Sequence, residues 1–186
     1  EAGESLDNLS RRRKTVDSTI QQSNHFKGDV ILMKQFLQIF AQILSKFRDT
    51  ALLLFRLGLG GMFMWHGWPK IIGGTEKWAG LGKAMGTFGI EFAPGFWGFM
   101  ASFAEFGGGL LFALGLFYRP ACFLLFSNML VAFTSQMMDG KGLQKASQSL
   151  EDGLSFFAAA FIGPGKYSLD HYLGIEESTD KLFRRR

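Results

Sequence analysis

The stretch from Trp97 to Tyr118, WGFMASFAEFGGGLLFALGLFY, runs 22 residues with a single acidic side chain, and a helix needs about 20 apolar residues to cross the hydrocarbon core of a bilayer. It reads as a membrane span. On a helical wheel the acid, Glu105, shares its face with the residues three, four and seven positions away: Gly98, Ala101, Ser102, Gly108, Gly109 and Phe112. All but Phe112 are small or hydroxylated, which lets a second helix approach closely inside a membrane. The opposite face carries Phe99, Phe103, Phe106, Leu110, Leu114 and Phe117, a bulky strip suited to lipid. The pattern predicts that Glu105 points into a helix bundle. A carboxylate at that depth is costly unless it is protonated, paired or hydrated, so Glu105 is either a functional acid or a structural one that ties helices together.

Mean hydropathy is only +0.12, because a polar N-terminal third is averaged with a very apolar remainder. The 21 Phe and 24 Gly residues suit membrane helices whose aromatic faces meet lipid and whose glycine faces meet each other. A lone cysteine, Cys122, excludes an internal disulfide and any C-x-x-C pair. His25, His66 and His171 lack ligand-like spacing, so no metal site is expected. The net charge of +4 concentrates in RRRK at 11–14 and RRR at 184–186. With membrane spans between them, these clusters point to a phospholipid surface rather than to nucleic acid.

Along the chain, residues 1–34 read as a disordered polar and basic tail with no apolar run that would make a signal peptide. Over 35–49, Phe36, Leu37, Ile39, Phe40, Ile43, Leu44 and Phe47 recur at helical spacing against Gln38, Gln42, Ser45, Lys46 and Arg48. This is an amphipathic helix lying in the membrane interface, or the opening turn of a tilted first span. The first span covers about 51–68 and contains Arg56. At roughly 8 Å along the helix, Arg56 either snorkels to the cytoplasmic interface or reaches inward to a buried carboxylate. Trp65, His66, Trp68, Pro69 and Lys70 close the span as an aromatic belt, a polar cap or proton-transfer group, a helix stop and a solvated amine.

Residues 71–95 are too polar and too rich in glycine to be a span. A short surface helix around 76–88, presenting Trp78, Leu81 and Met85, would roof a cavity there. The second span covers 96–117 and, after a tight turn at Tyr118 to Pro120, the third covers 120–138. Its Asn128, near mid-depth, needs a partner on a neighbouring helix. For the fourth, Ser149 and Asp152 fit a capping box that starts a helix at Leu150, which leaves too short a segment before Gly163 and Pro164. A start near Lys145 is preferred, giving a span over 145–163 that carries Glu151 and Asp152 into the bundle. Glu105, Glu151, Asp152 and Arg56 would then form one partly compensated charge group with at least one protonated carboxyl. Beyond it, Ser168 and Asp170 are set to cap a short interfacial helix, and 174–186 is a basic tail.

The expected fold is therefore an all-α integral membrane protein, a four-transmembrane-helix bundle over 50–173 preceded by an interfacial amphipathic helix. Positive charge near the spans favours both termini in the cytoplasm.

Several separated motifs carry a family resemblance. They are Arg56 with Gly58 and Gly60, then H-G-x-P-K at His66 to Lys70, then F-A-E-F-G-G-G-L around Glu105. G-L-F-x-R-P at Gly115 to Pro120 and G-P-G-K-Y-S-L-D at Gly163 to Asp170 follow. Over about Leu52 to Leu173 the sequence resembles the DoxX family, small four-span proteins of the bacterial cytoplasmic membrane related to the DoxD subunit of thiosulfate:quinone oxidoreductase. That resemblance implies a four-helix membrane bundle and, for some members, a role in membrane redox complexes.

The leading expectation is a membrane subunit of a quinone-linked oxidoreductase. In it Glu105 and Arg56 bind or protonate a quinone head group, Trp65 and Trp68 line its approach, and His66, Lys70, Asn128 and Asp152 surround it. No flavin, haem or iron-sulfur ligand set is recognisable, so a quinone in the bundle or a redox partner protein would carry the electrons. Two alternatives stand beside it: a non-catalytic scaffold that anchors a soluble enzyme through its basic tails, and a solute or proton transporter, which with four spans would need a homo-oligomer.

Overall fold

The computed structural model describes residues 30–176. The N-terminal tail lies outside the described residues except for 30–34, which are helical, and the C-terminal tail lies outside beyond Glu176. Every regular element among the described residues is a helix. Helix α1 is Val30–Lys46; it starts before residue 35 because Val30, Ile31, Leu32 and Met33 extend the apolar run. Its Phe36 and Phe40 rings stack at 6.5 Å. The chain divides after Phe47, and the second unit holds α2 (Arg48–Ile71), α3 (Gly74–Gly82), a 3₁₀ segment (Lys83–Phe88), α4 (Pro94–Leu114), α5 (Tyr118–Met138), α6 (Leu143–Ile162) and α7 (Leu169–Tyr172).

Helices α4 and α5 are each long and apolar enough to cross a membrane, while α1 and α2 pass that test only when taken together as one broken segment. The four long helices of the second unit share an aromatic core. Phe156 of α6 meets Phe63 of α2 edge-on at 4.8 Å and Phe112 of α4 at 5.1 Å, with Leu125 and Met129 of α5 packed beside them.

Glycine sets how closely α2 and α4 pack. The two run antiparallel, and a Cβ on Gly60 would lie 2.7 Å from the Gly109 carbonyl oxygen, one on Gly67 2.5 Å from the Phe106 nitrogen. Both obstacles are backbone, which cannot swing aside. Gly67→Ala is accordingly expected to lower stability by about 1–3 kcal/mol, the usual cost of forcing extra carbon into a packed contact, while Gly61→Ala, which meets nothing within 4 Å, leaves it unchanged. Thermal unfolding of the two variants in detergent checks the difference.

One local expectation is corrected. Pro69 does not stop α2, which continues to Ile71 with the proline inside its last turn; there its missing N–H gives up one hydrogen bond and its ring crowds the carbonyl four residues back. The short helix expected around 76–88 is present as α3 and the 3₁₀ segment, with Leu81 and Met85 lining a cavity. A Cβ on Gly98 would collide with the Trp78 carbonyl and one on Gly82 with that of Pro94, so α3 continues beside the first half of α4 where α2 leaves off. Of the two starts weighed for α6, the structure has the earlier and no capping box at Leu150. The helix already begins at Leu143, and Ser149 sits inside it, where its Oγ accepts a 2.9 Å bond from Gln136 Nε2 of α5. Both Glu151 and Asp152 thus lie within α6.

Candidate functional site

Glu105 is the twelfth residue of the 21-residue α4, close to its midpoint, and it is 7% exposed. As the wheel requires, its neighbours Gly98, Ser102, Gly108, Gly109 and Phe112 are buried. Its partner is Lys70, whose ammonium donates to both carboxylate oxygens, at 2.6 Å to Oε1 and 2.5 Å to Oε2. Asn128 Nδ2 of α5 adds a longer bond of 3.4 Å to Oε1. Lys70 was expected to be solvated beyond a helix stop. Because α2 carries on through Pro69, its last turn reaches the level of Glu105 and brings the amine inward.

The chain end of α2 is itself tied down. Its last carbonyls have no partners within the helix, and here Trp78 Nε1 donates to Lys70 O at 2.9 Å and Lys77 Nζ to Pro69 O at 2.8 Å. Those side chains belong to α3, so the break between the two helices is sealed by the element that follows it.

Lys70, Glu105 and Asn128 form one polar corner of a cavity of about 310 Å³. Met85 of the 3₁₀ segment, Trp97, Met100 and Ala101 of α4, and Leu124 and Val131 of α5 supply apolar walls. Leu124 and Ser127, also on the wall, are exposed on the flank of α5, so the cavity opens sideways between helices. One charged pair and one amide on an otherwise apolar wall is the make-up of a site that buries a ring and orients it through a few polar contacts.

The other residues singled out from the sequence lie elsewhere. Trp65 and Trp68 are 76% and 52% exposed and contribute nothing to the cavity wall; Trp68 packs on Phe106 at 5.4 Å. His66 is exposed too, one turn before Lys70 and within electrostatic range of Asp152 on α6. The single charge group of Glu105, Glu151, Asp152 and Arg56 does not form. Antiparallel packing sets Arg56 level with Gly115, and Lys70 lies about 21 Å further along α2.

Arg56 is fully buried in a different structure. It donates to Pro164 O at 2.6 Å and to Tyr167 O at 2.7 Å, and a Cβ on Gly115 (φ +66°) would lie 2.5 Å from its Nη1. In the same place Asp170 does not cap α7, whose N-cap is Ser168. Its carboxylate instead accepts from Phe117 N at 2.9 Å and Tyr118 N at 2.8 Å, capping α5 across the fold, while Asp170 N donates to Gly115 O at 2.9 Å. Arg119 adds bonds to Ala160 O at 2.7 Å and Glu176 at 2.6 Å. The arginine of the first span, the G-L-F-x-R-P turn and the G-P-G-K-Y-S-L-D run are three parts of one clasp.

Apolar helices of membrane-crossing length around a buried ion pair, closed at one end by a polar clasp, define a helical integral membrane protein. Comparison with known proteins agrees. The DoxX family model matches residues 51–138, and the chain is 32% identical to inner membrane protein YqjF of Escherichia coli (strain K12) over 133 residues, 70% of this chain and 97% of the relative. The chain belongs to the DoxX family. No solved structure matches it.

Proposed function

We propose that the cavity beside Glu105 binds the head group of a lipid quinone and exchanges protons with it, and that the chain is the bacterial inner-membrane subunit of a quinone-linked oxidoreductase. The observation that carries this reading is the Lys70–Glu105–Asn128 corner on an apolar wall that opens toward the flank of α5. A quinone supplies a two-electron, two-proton couple in a form soluble in the bilayer. The chain's own residues fit its head group in three ways. The Lys70 ammonium and the Asn128 amide are donors suited to a ring carbonyl, and the Glu105 carboxylate is an acceptor suited to a ring hydroxyl. Met100, Trp97 and Val131 exclude water from the ring faces. Electrons come from a redox partner protein.

In this reading α2, α4, α5 and α6 all cross the membrane, with α3 completing the first crossing, both termini lie in the cytoplasm, and α1 rests in the interface on its apolar face. Irregular backbone at membrane depth is tolerated where it borders a cavity, which is where the α2–α3 break and the 3₁₀ segment sit. The inner membrane is also the location in the name of the Escherichia coli relative.

The test is mass spectrometry of the lipids that copurify with the detergent-solubilised protein, wild type beside Glu105→Gln. The glutamine keeps the size of the side chain and still accepts from Lys70, so the variant folds. Quinone retained by the wild type and lost from the variant is the expected result. Its absence from both would overturn the reading in favour of the scaffold.

A further inference from the structure

The first half of α6 is unusually polar for a helix packed among spans. Gln144, Gln148, Glu151, Asp152 and Ser155 recur at intervals of three and four on one side of it, whereas Ala146, Gly153, Phe156 and Ala160 form the buried side. Its depth follows from the α5–α6 hairpin. A Cβ on Gly153 would rest 3.3 Å from Met129 Cβ, so Asp152 lies level with the middle of α5, a helix apolar enough to cross a bilayer. The two carboxylates are thus about 14 Å from the start of α6. Among the described residues neither has an ion pair or a side-chain hydrogen bond. A carboxyl at that depth without such a partner is either protonated or hydrated, and the run of amides and hydroxyls that leads to this one from the start of α6 favours water.

On the α2 side the stripe leads somewhere. The Phe63–Phe156 ring contact at 4.8 Å joins α2 to α6, and because these helices run antiparallel, His66, three residues beyond Phe63, and Asp152, four before Phe156, lie at the same level. His66 and Lys70 are four residues apart on α2, neighbours about 6 Å apart on one helix face, and Lys70 holds Glu105. Below this level Phe63, Phe112 and Phe156 are packed ring against ring, which shuts the route toward the clasp.

We infer that the polar side of α6 lines a one-sided hydrated cleft that carries protons from the α5–α6 turn, through Asp152 and His66, to the Lys70–Glu105 pair. Gln144 and Gln148 bind the water, Asp152 and His66 take and pass the proton, and the aromatic layer prevents leakage to the other face. The destination rests on the function proposed above; the cleft does not.

Two measurements on protein in lipid nanodiscs test this, and they fail separately. In a Cys122→Ala background, a water-soluble maleimide should label Gln148→Cys about tenfold faster than Leu154→Cys, because only a hydrated thiol ionises to the reactive thiolate. Equal, slow labelling would overturn the cleft. The second is a stopped-flow pH jump on decylubiquinone-loaded nanodiscs, followed by quenching of tryptophan fluorescence. Asp152→Asn should reach the same end point as wild type at a rate lowered about a hundredfold, since delivery and not binding is impaired and a positioned proton-transfer group typically contributes 10²–10⁴. An unchanged rate would overturn the carrier role of Asp152. Failure of decylubiquinone to bind the wild type would count against the proposed function alone, with the labelling result still deciding the cleft.

Discussion

Lys70→Met is expected to weaken the bundle far more than the loss of one surface ion pair would. Glu105 accepts two short bonds from Lys70 and only a 3.4 Å bond from Asn128, so the methionine leaves a buried carboxylate with almost no compensation. Breaking a fully buried pair from one side costs about 3–5 kcal/mol. The Lys70 side chain is 31% exposed, and water reaching it screens part of that, which brings the expected loss to about 2 kcal/mol. Thermal unfolding in detergent measures the loss. A double variant, Lys70→Met with Glu105→Leu, should regain most of the lost stability, because an apolar pair of similar volume replaces a buried ion pair at little cost. No recovery in the double variant would mean that the pair is held for reasons other than charge.

The second large effect is at the opposite end of α2. Arg56→Met should destabilise the protein by about 3 kcal/mol, since it removes two hydrogen bonds from a charged donor and leaves the carbonyls of Pro164 and Tyr167 buried without them. Arg56→Lys should recover only part of this, because one ammonium cannot reproduce the fork of a guanidinium. Limited proteolysis between residues 163 and 176 is a direct readout: the segment should be cut readily in Arg56→Met and resist in wild type. Quinone content per folded molecule should be the same in both, because Arg56 belongs to the clasp and not to the cavity. Parallel loss of quinone from well-folded Arg56→Met protein would return the arginine to the role expected from the sequence.

Why Glu105 was legible and its partner was not has a physical explanation. A carboxylate in a run of glycine and phenylalanine declares its own face, since period 3.6 fixes which neighbours share it. The early start of α6 was legible as well, from a length argument. Lys70 was misplaced because Pro69 reads as a terminator, and a proline in the last turn of a helix differs from one beyond the end only in the structure. Arg56 was harder still: its partners are main-chain carbonyls, which every residue possesses, so nothing in the sequence marks Pro164 and Tyr167 as acceptors. The packing of α3 along α4 escaped notice because glycine signals both a loop and a close helix contact. Here Gly82 and Gly98 are the second kind.

The clasp also has a consequence for how the protein is made. The amides of Phe117 and Tyr118 at the head of α5 are satisfied by Asp170, which the ribosome adds 53 and 52 residues later. Until then the α4–α5 turn enters the bilayer with its donors open and Arg56 without its carbonyls. A segment made later therefore locks what was inserted first, and a fusion or truncation that disturbs Pro164 to Asp170 would trap a nascent chain whose helices are in place but whose clasp has never been closed.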